Sequence, residues 1–212
     1  MKILFCGYRE WAINIYNHFK DQNHDIQLAK GPQEFKTLIK AHSFDITLLA
    51  GWSWVIDAHC LKNNYTVVIH PSDLPAYAGG SPIQHQIIDG LEDSKVTLFK
   101  ATPQLDLGPI IYKESFSLRG DLKDVLSDIE EAAIRLITKF LLHYPDTPET
   151  QQPKSTARKR RTSEMSEIKL NDFEQFTAQE IYNKIRSLQN PYPNAFVICK
   201  DNTVLFLTGS HL

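Results

Sequence analysis

An α/β fold, a Rossmann-like and mostly parallel sheet flanked by helices with a small C-terminal α+β extension, is predicted by three features. Short apolar runs alternate with segments of helical spacing from Lys2 to His70. One of those runs, Thr66 to Ile69, ends in a histidine, His70. A loop punctuated by Pro71, Pro75, Gly79 and Gly80 follows it. Strands that alternate with helices imply crossover connections, and these cover both faces of a parallel sheet. A titratable residue ending an apolar strand stands where open α/β sheets place their chemistry. The loop behind it is stiff at its prolines and permissive at its glycines, which suits a ligand wall.

The elements follow in order. Lys2 to Cys6 is a strand broken by Gly7, and Trp11, Ile13, Ile15, Tyr16 and Phe19 then recur with helical spacing. Ile26 to Ala29 is a second strand. Gly31-Pro32 opens a helix holding Phe35, Leu38 and Ile39, the proline sitting where the first turn tolerates it. Ile46 to Ala50 is a third strand, leading into Gly51-Trp52-Ser53-Trp54, and Val67 to Ile69 supplies the fourth. A short helix from about Pro82 and a strand from Lys95 come after the loop. Ile110 to Phe116 is another strand. Asp121 then caps a long helix whose apolar face is Val125, Ile129, Ala132, Ala133, Leu136, Ile137, Phe140 and Leu141. The tail holds a helix at about Ala178 to Leu188, a turn at Asn190-Pro191-Tyr192-Pro193, and a hairpin of Ala195 to Cys199 with Val204 to Leu207. This divides the chain into a catalytic unit (1–142), a basic linker (143–165) and a small extension (166–212).

Bulk properties narrow the function. The 212 residues are 42% hydrophobic and 23% charged, ordinary values for a globular protein. A formal charge of -2 gives no whole-protein steering toward nucleic acid. Cys6, Cys60 and Cys199 lack metal spacing and read as reduced thiols, so no metal is expected. The opening residues start a strand rather than a signal peptide, and no apolar run approaches the roughly 18 residues of a bilayer span. A cytoplasmic protein without a membrane partner is expected. Gly7-Tyr8-Arg9-Glu10 lacks the later glycines of a dinucleotide fingerprint. Arg9 is a candidate for a substrate phosphate, against the alternative of a solvated arginine. Lys154 and Arg158 to Arg161 form a basic cluster, read as a solvated surface linker or as a phosphate contact.

His70 and Asp106 are the candidate catalytic pair. An imidazole can protonate a leaving nitrogen or donate to a developing oxyanion, and a nearby carboxylate can orient it. Spacing alone leaves two readings open for each: a strand-end structural histidine, and a turn aspartate before Gly108.

The run His70-Pro71-Ser72-Asp73-Leu74-Pro75-Ala76-Tyr77-Ala78-Gly79-Gly80-Ser81-Pro82-Ile83-Gln84 resembles the signature loop of the 10-formyltetrahydrofolate-dependent formyltransferases. Val96-Thr97 and Leu105-Asp106-Leu107-Gly108-Pro109-Ile110 are similar to that family's second motif, which carries its aspartate in a D-x-G. Arg160-Arg161-Thr162, Ser166-Glu167-Ile168, Ile185-Arg186-Ser187-Leu188, Pro191-Tyr192-Pro193 and Ala195-Phe196 resemble the segment that follows the catalytic domain in members acting on tRNA and amino sugars.

The resemblance implies a direct transfer. An amine attacks the formyl carbon, an oxyanion forms, and tetrahydrofolate leaves, with His70 stabilising the intermediate and Asp106 assisting proton transfer. It implies a folate wall at Gly51 to Ile56, Val55 included, completed by Leu74, Pro75 and Leu105. Within it Trp52 and Trp54 depart from the family's Tyr-Gly stretch, with three readings open for each: stacking on the pterin, narrowing the pocket, or packing in the core. It implies acceptor contacts at Arg9, Tyr77, Gly79, Gly80, Ser81 and Gln84. One departure stands out: the family's asparagine, two residues before the histidine, is Val68 here, so either a group such as Ser81 or Gln84 replaces its donor, or His70 carries the oxyanion alone, or activity is lost. Residues 166–212 fall short of the oligonucleotide-binding barrel of the tRNA enzymes. The expected acceptor is therefore a nucleotide-linked amino sugar, and nucleic acid is not the expected partner. The alternatives are a methionyl-tRNA formyltransferase-like enzyme, a formyl-folate hydrolase, and a folate-binding pseudoenzyme motivated by Val68. The tail hairpin is a candidate surface for a homodimer.

Overall fold

The computed structural model describes every residue except Asn23, Lys154 and Thr156. Its elements are β1 (Lys2–Cys6), α1 (Glu10–Phe19), β2 (Asp25–Ala29), α2 (Pro32–Ala41), β3 (Ile46–Ala50), α3 (Ala58–Asn63), β4 (Thr66–His70), α4 (Pro82–Ile88), β5 (Asp93–Lys100) and β6 (Ile110–Ser117). They continue as α5 (Leu122–His143), α6 (Asp172–Gln175), α7 (Ala178–Ser187), β7 (Ala195–Ile198) and β8 (Val204–Leu207). Two short helices, α3 and α6, have no counterpart in the sequence reading. Both are too short for an apolar period to emerge, and α3 is marked only by the Asp57 carboxylate accepting the Cys60 N–H at 2.8 Å.

The main sheet runs in the order β2-β1-β3-β4-β5-β6. β1 to β4 are mutually parallel, while β5 and β6 join antiparallel at one edge. Burial on both faces explains the unbroken apolar strands, β3 above all, whose five residues are all buried. On one face α1 and α5 cover Ile3, Phe5, Ile46, Leu48, Val67, Ile69 and Val96; on the other, Phe35 of α2 packs with Leu4, Cys6, Leu49 and Cys60. The cap expected at Asp121 is present, and the structure adds its reciprocal half, with Asp124 accepting the Asp121 N–H at 3.0 Å. No helix among the described residues is long and apolar enough to cross a membrane.

The tail forms the β7–β8 hairpin and α7, around Ile168, Ile185, Leu188 and Ala195. Arg186 bolts it to the rest of the chain. Its buried guanidinium donates to the carbonyls of Leu118 at 2.6 Å and Gly120 at 3.0 Å, and to Asn183 Oδ1 at 2.9 Å. The segment expected as a linker over the surface is largely exposed among its described residues and is tied to the preceding sheet and loop by backbone hydrogen bonds. Thr150 bridges Ile110 and Arg158 bridges Gly79 through backbone hydrogen bonds, so the described residues from Thr150 to Arg161 form a strap. Lys154 of the basic cluster lies outside the described residues.

Candidate active site

His70 ends β4, and the two-residue period of a strand turns Val68 and His70 toward the same sheet face. The signature loop folds back over that face, where Leu74, Ala78 and Phe99 pack with Val68 and Ile110. Thr97 holds the loop from below: its hydroxyl donates to the Ser72 carbonyl at 2.7 Å and accepts the Leu74 N–H at 3.3 Å. Ser72 Oγ in turn donates to the Ala76 carbonyl at 2.8 Å. The turn brings the Tyr77 carbonyl to 3.0 Å from His70 Nε2. A carbonyl only accepts, so Nε2 carries a hydrogen, and Nδ1 is the nitrogen whose proton can change hands.

Asp106 lies in the β5–β6 connection, with a left-handed backbone (φ 53°). Its Oδ2 accepts the Gly79 N–H at 2.8 Å and stands 3.7 Å from His70 Nδ1. Both side chains are about nine-tenths buried, at 8% and 10% exposure, so their mutual field is weakly screened. Gly108 is required by close approach, since a Cβ there would meet the Lys100 carbonyl oxygen at 1.7 Å.

The aromatic loop after β3 borders this region. Trp52 packs on Phe35 at 5.9 Å and edge-on to Trp54 at 4.8 Å, and Trp54 meets Tyr8 at 5.0 Å. Leu74 is fully buried in the loop core, Val55 and Leu105 are exposed, and the Pro75 carbonyl is occupied by the Ser155 hydroxyl at 2.7 Å.

Residues 9–136 match the family model described as formyl transferase, and residues 162–212 match the formyl transferase C-terminal domain. The chain belongs to the formyl transferase family. It is similar to the methionyl-tRNA formyltransferase of Rickettsia africae (strain ESF-5), 26% identical over 250 residues, covering 100% of this chain and 82% of that protein. Among solved structures it resembles the methionyl-tRNA formyltransferase from Clostridium thermocellum, with TM-score 0.82, 26% identity, and 97% and 96% of the two chains covered. A 4-N formyltransferase from Francisella tularensis shares the fold at TM-score 0.77 and 16% identity, over 100% and 97% of the chains. HypX from Aquifex aeolicus in complex with tetrahydrofolic acid shares it at TM-score 0.75 and 20% identity, over 93% of this chain and 36% of that one.

In this formyl transferase the glycine-rich end of the signature loop faces protein. The Gly79 N–H is taken by Asp106, and the Gly80 N–H by the Arg158 carbonyl at 2.9 Å. Ser81 Oγ accepts the Arg161 N–H at 3.1 Å. Tyr77 donates its phenol to Asp89 at 2.9 Å beneath the Arg158 guanidinium, which ion-pairs with Asp89 at 2.7 Å. Gln84 is buried and turned toward Tyr192. Its amide N–H and the Trp11 indole N–H face that phenol without closing a hydrogen bond.

Arg9 lies between the rings of Tyr8 at 4.8 Å and Tyr192 at 5.0 Å. Ser53 Oγ connects Tyr8 OH, at 2.7 Å, with Arg160 Nη1, at 3.4 Å. Among the described residues neither Arg9 nor Arg160 is ion-paired. Val68 presents only methyl groups, wedged between the clusters of Leu49 and Leu74. A separate cavity of about 610 Å³ lies behind the loop, lined by Asp73, Tyr77, Gln86, Ser94, Lys95 and Phe116, and neither His70 nor Asp106 reaches it. Sequence reasoning missed Tyr192 and Gln152 as neighbours of the site, and named Arg158 only within the basic cluster. Their only signals were an aromatic between prolines, and polar residues in a run that reads as linker.

Proposed function

We propose that His70 and Asp106 carry the transfer of a formyl group from 10-formyltetrahydrofolate to the amine of a nucleotide-linked amino sugar. The observation that carries this reading is the buried pair itself. One imidazole nitrogen is committed to a carbonyl, and the other faces a carboxylate. The acceptor amine attacks the formyl carbon, and the carbonyl oxygen becomes an oxyanion. Collapse breaks the bond from that carbon to the folate nitrogen. The amine gives up a proton and the leaving nitrogen takes one, and the His70 Nδ1–Asp106 pair is the relay between them. A proton held on Nδ1 also serves the oxyanion as a donor. Holding two ligands in register supplies much of the remaining acceleration.

The folate donor is supported by the family and by the tetrahydrofolic acid held by HypX, which shares the fold. The Trp54 ring and the buried, unpartnered Trp52 indole N–H offer a pterin a stacking face and a donor. Arg9, stacked on Tyr8, and Arg160, bonded to the Ser53 hydroxyl that Tyr8 also meets, supply charge for a diphosphate. The sugar reading is supported by the fold shared with a 4-N formyltransferase. A methionyl-tRNA acceptor is the second reading, favoured by the Rickettsia relative across the whole chain. The test is tetrahydrofolate release from 10-formyltetrahydrofolate with a panel of uridine- and thymidine-diphosphate amino sugars, methionyl-tRNA, and no acceptor. Release with a nucleotide sugar is expected. Release with methionyl-tRNA alone would replace the sugar reading, and folate binding without release in any arm would end the transferase reading.

A further inference from the structure

We infer that Gln152, a residue of the strap, is a positioning residue for Asp106. The inference rests on the reading of Asp106 as catalytic. The backbone bridge between Thr150 and Ile110, with N–H···O distances of 2.8 Å in both directions, lays the strap along the start of β6 and brings Gln152 to the D-x-G turn. There its side-chain Nε2 donates to the Asp106 carbonyl at 3.1 Å and to the Gly108 carbonyl at 2.6 Å. A primary amide has two hydrogens, one for each carbonyl. The turn between these carbonyls is otherwise weakly held, its own backbone contact from Leu107 to Gln104 being stretched to 3.5 Å. Asp106 also has a left-handed backbone, a conformation uncommon for a non-glycine residue. Gly108 pressed against Lys100 fixes one end of the turn, and the Gln152 amide ties that end to the Asp106 peptide. The direction of the Asp106 carboxylate toward Gly79 and His70 follows from this clamp. Gln152 Oε1 is buried with no partner among the described residues, an acceptor left unmet while both donors of the amide are used. That imbalance fits a side chain kept for its donors.

The experiment combines two near-isosteric variants, Gln152→Met and Gln152→Glu, with Asp106→Asn in a double-mutant cycle. Tetrahydrofolate release is followed with the panel acceptor of highest rate. A displaced carboxylate is expected to lower kcat by roughly 10- to 100-fold. Both KM values should stay within about twofold, since no ligand contact is removed. In the Asp106→Asn background, Gln152→Met should change the residual rate by less than about twofold. Gln152 variants at wild-type rate beside an inactive Asp106→Asn enzyme would overturn the inference and leave the Asp106 assignment standing. An undiminished Gln152 effect in the Asp106→Asn background would overturn it too, as would loss of a cooperative thermal transition in both Gln152 variants, because each marks a general structural role. A wild-type rate for Asp106→Asn would instead overturn the underlying assignment.

Discussion

Asp106 Oδ2 stands 3.7 Å from His70 Nδ1 while His70 Nε2 faces the Tyr77 carbonyl at 3.0 Å. The histidine is thereby oriented by a backbone group on one side and matched to a carboxylate on the other. Replacing either member should remove the relay and spare the fold. His70→Asn and Asp106→Asn are expected to lower kcat/KM by at least roughly 10³-fold with native far-UV circular dichroism. Rates near wild type in either variant would remove that residue from the chemistry.

Val68 shares the sheet face of His70 and offers no donor. Val68→Asn should place an amide where an oxyanion donor would act, raising kcat by 10-fold or more if the order of magnitude known for such donors applies. The same change puts a polar group among Leu74, Phe99 and Ile110, at a cost of about 1–3 kcal/mol that a thermal melt would record. A destabilised variant with unimproved kcat would show that the donor comes from elsewhere.

Arg9 and Arg160 meet at the Tyr8–Ser53 pair without carboxylate partners among the described residues. Arg9→Ala and Arg160→Ala are each expected to raise the acceptor KM by roughly 10-fold and leave the KM for 10-formyltetrahydrofolate unchanged. Steady-state kinetics with each ligand varied in turn checks this. An equal rise in both constants would place the arginines outside the acceptor site.

Asp73, in the signature loop, contributes a pH-dependent anchor. Partial burial works against its ionisation, but Lys113 and Lys95, the latter at 3.2 Å, outweigh this and hold its carboxyl below the usual range. A lowered folded-state pKa makes the contribution fully present above the unfolded value, near pH 4, and lost as pH falls through the folded one. The side chain is 41% exposed, so after solvent screening it is worth about 0.5 kcal/mol. Asp73→Asn should lower the thermal midpoint slightly at pH 7 and not at pH 2. An equal loss at both pH values would exclude the ion pairs as the cause.

Much of this molecule is legible in one dimension. The strands β1, β3 and β4 announce themselves because burial on both faces favours apolar runs, and α5 because a surface helix must repeat its apolar residues at helical spacing. The signature loop and the D-x-G turn are legible as motifs; glycine is required at Gly79 by its positive φ and at Gly108 by close approach to Lys100. Short elements such as α3 and α6 fall below the length at which a period registers.

What the chain alone determined is therefore its alternation of elements, its family motifs and the identity of two titratable residues at connections between strands. Tertiary structure decided the rest: that His70 and Asp106 face each other, that the basic segment is a strap, that Gln152 donates to the carbonyls of Asp106 and Gly108, and that Tyr192 stacks on Arg9. The physical reason is common to all four. Each depends on contacts between residues far apart in sequence, several of them through backbone carbonyls, and a carbonyl is the same at every position, so its partner leaves no mark in the order of side chains.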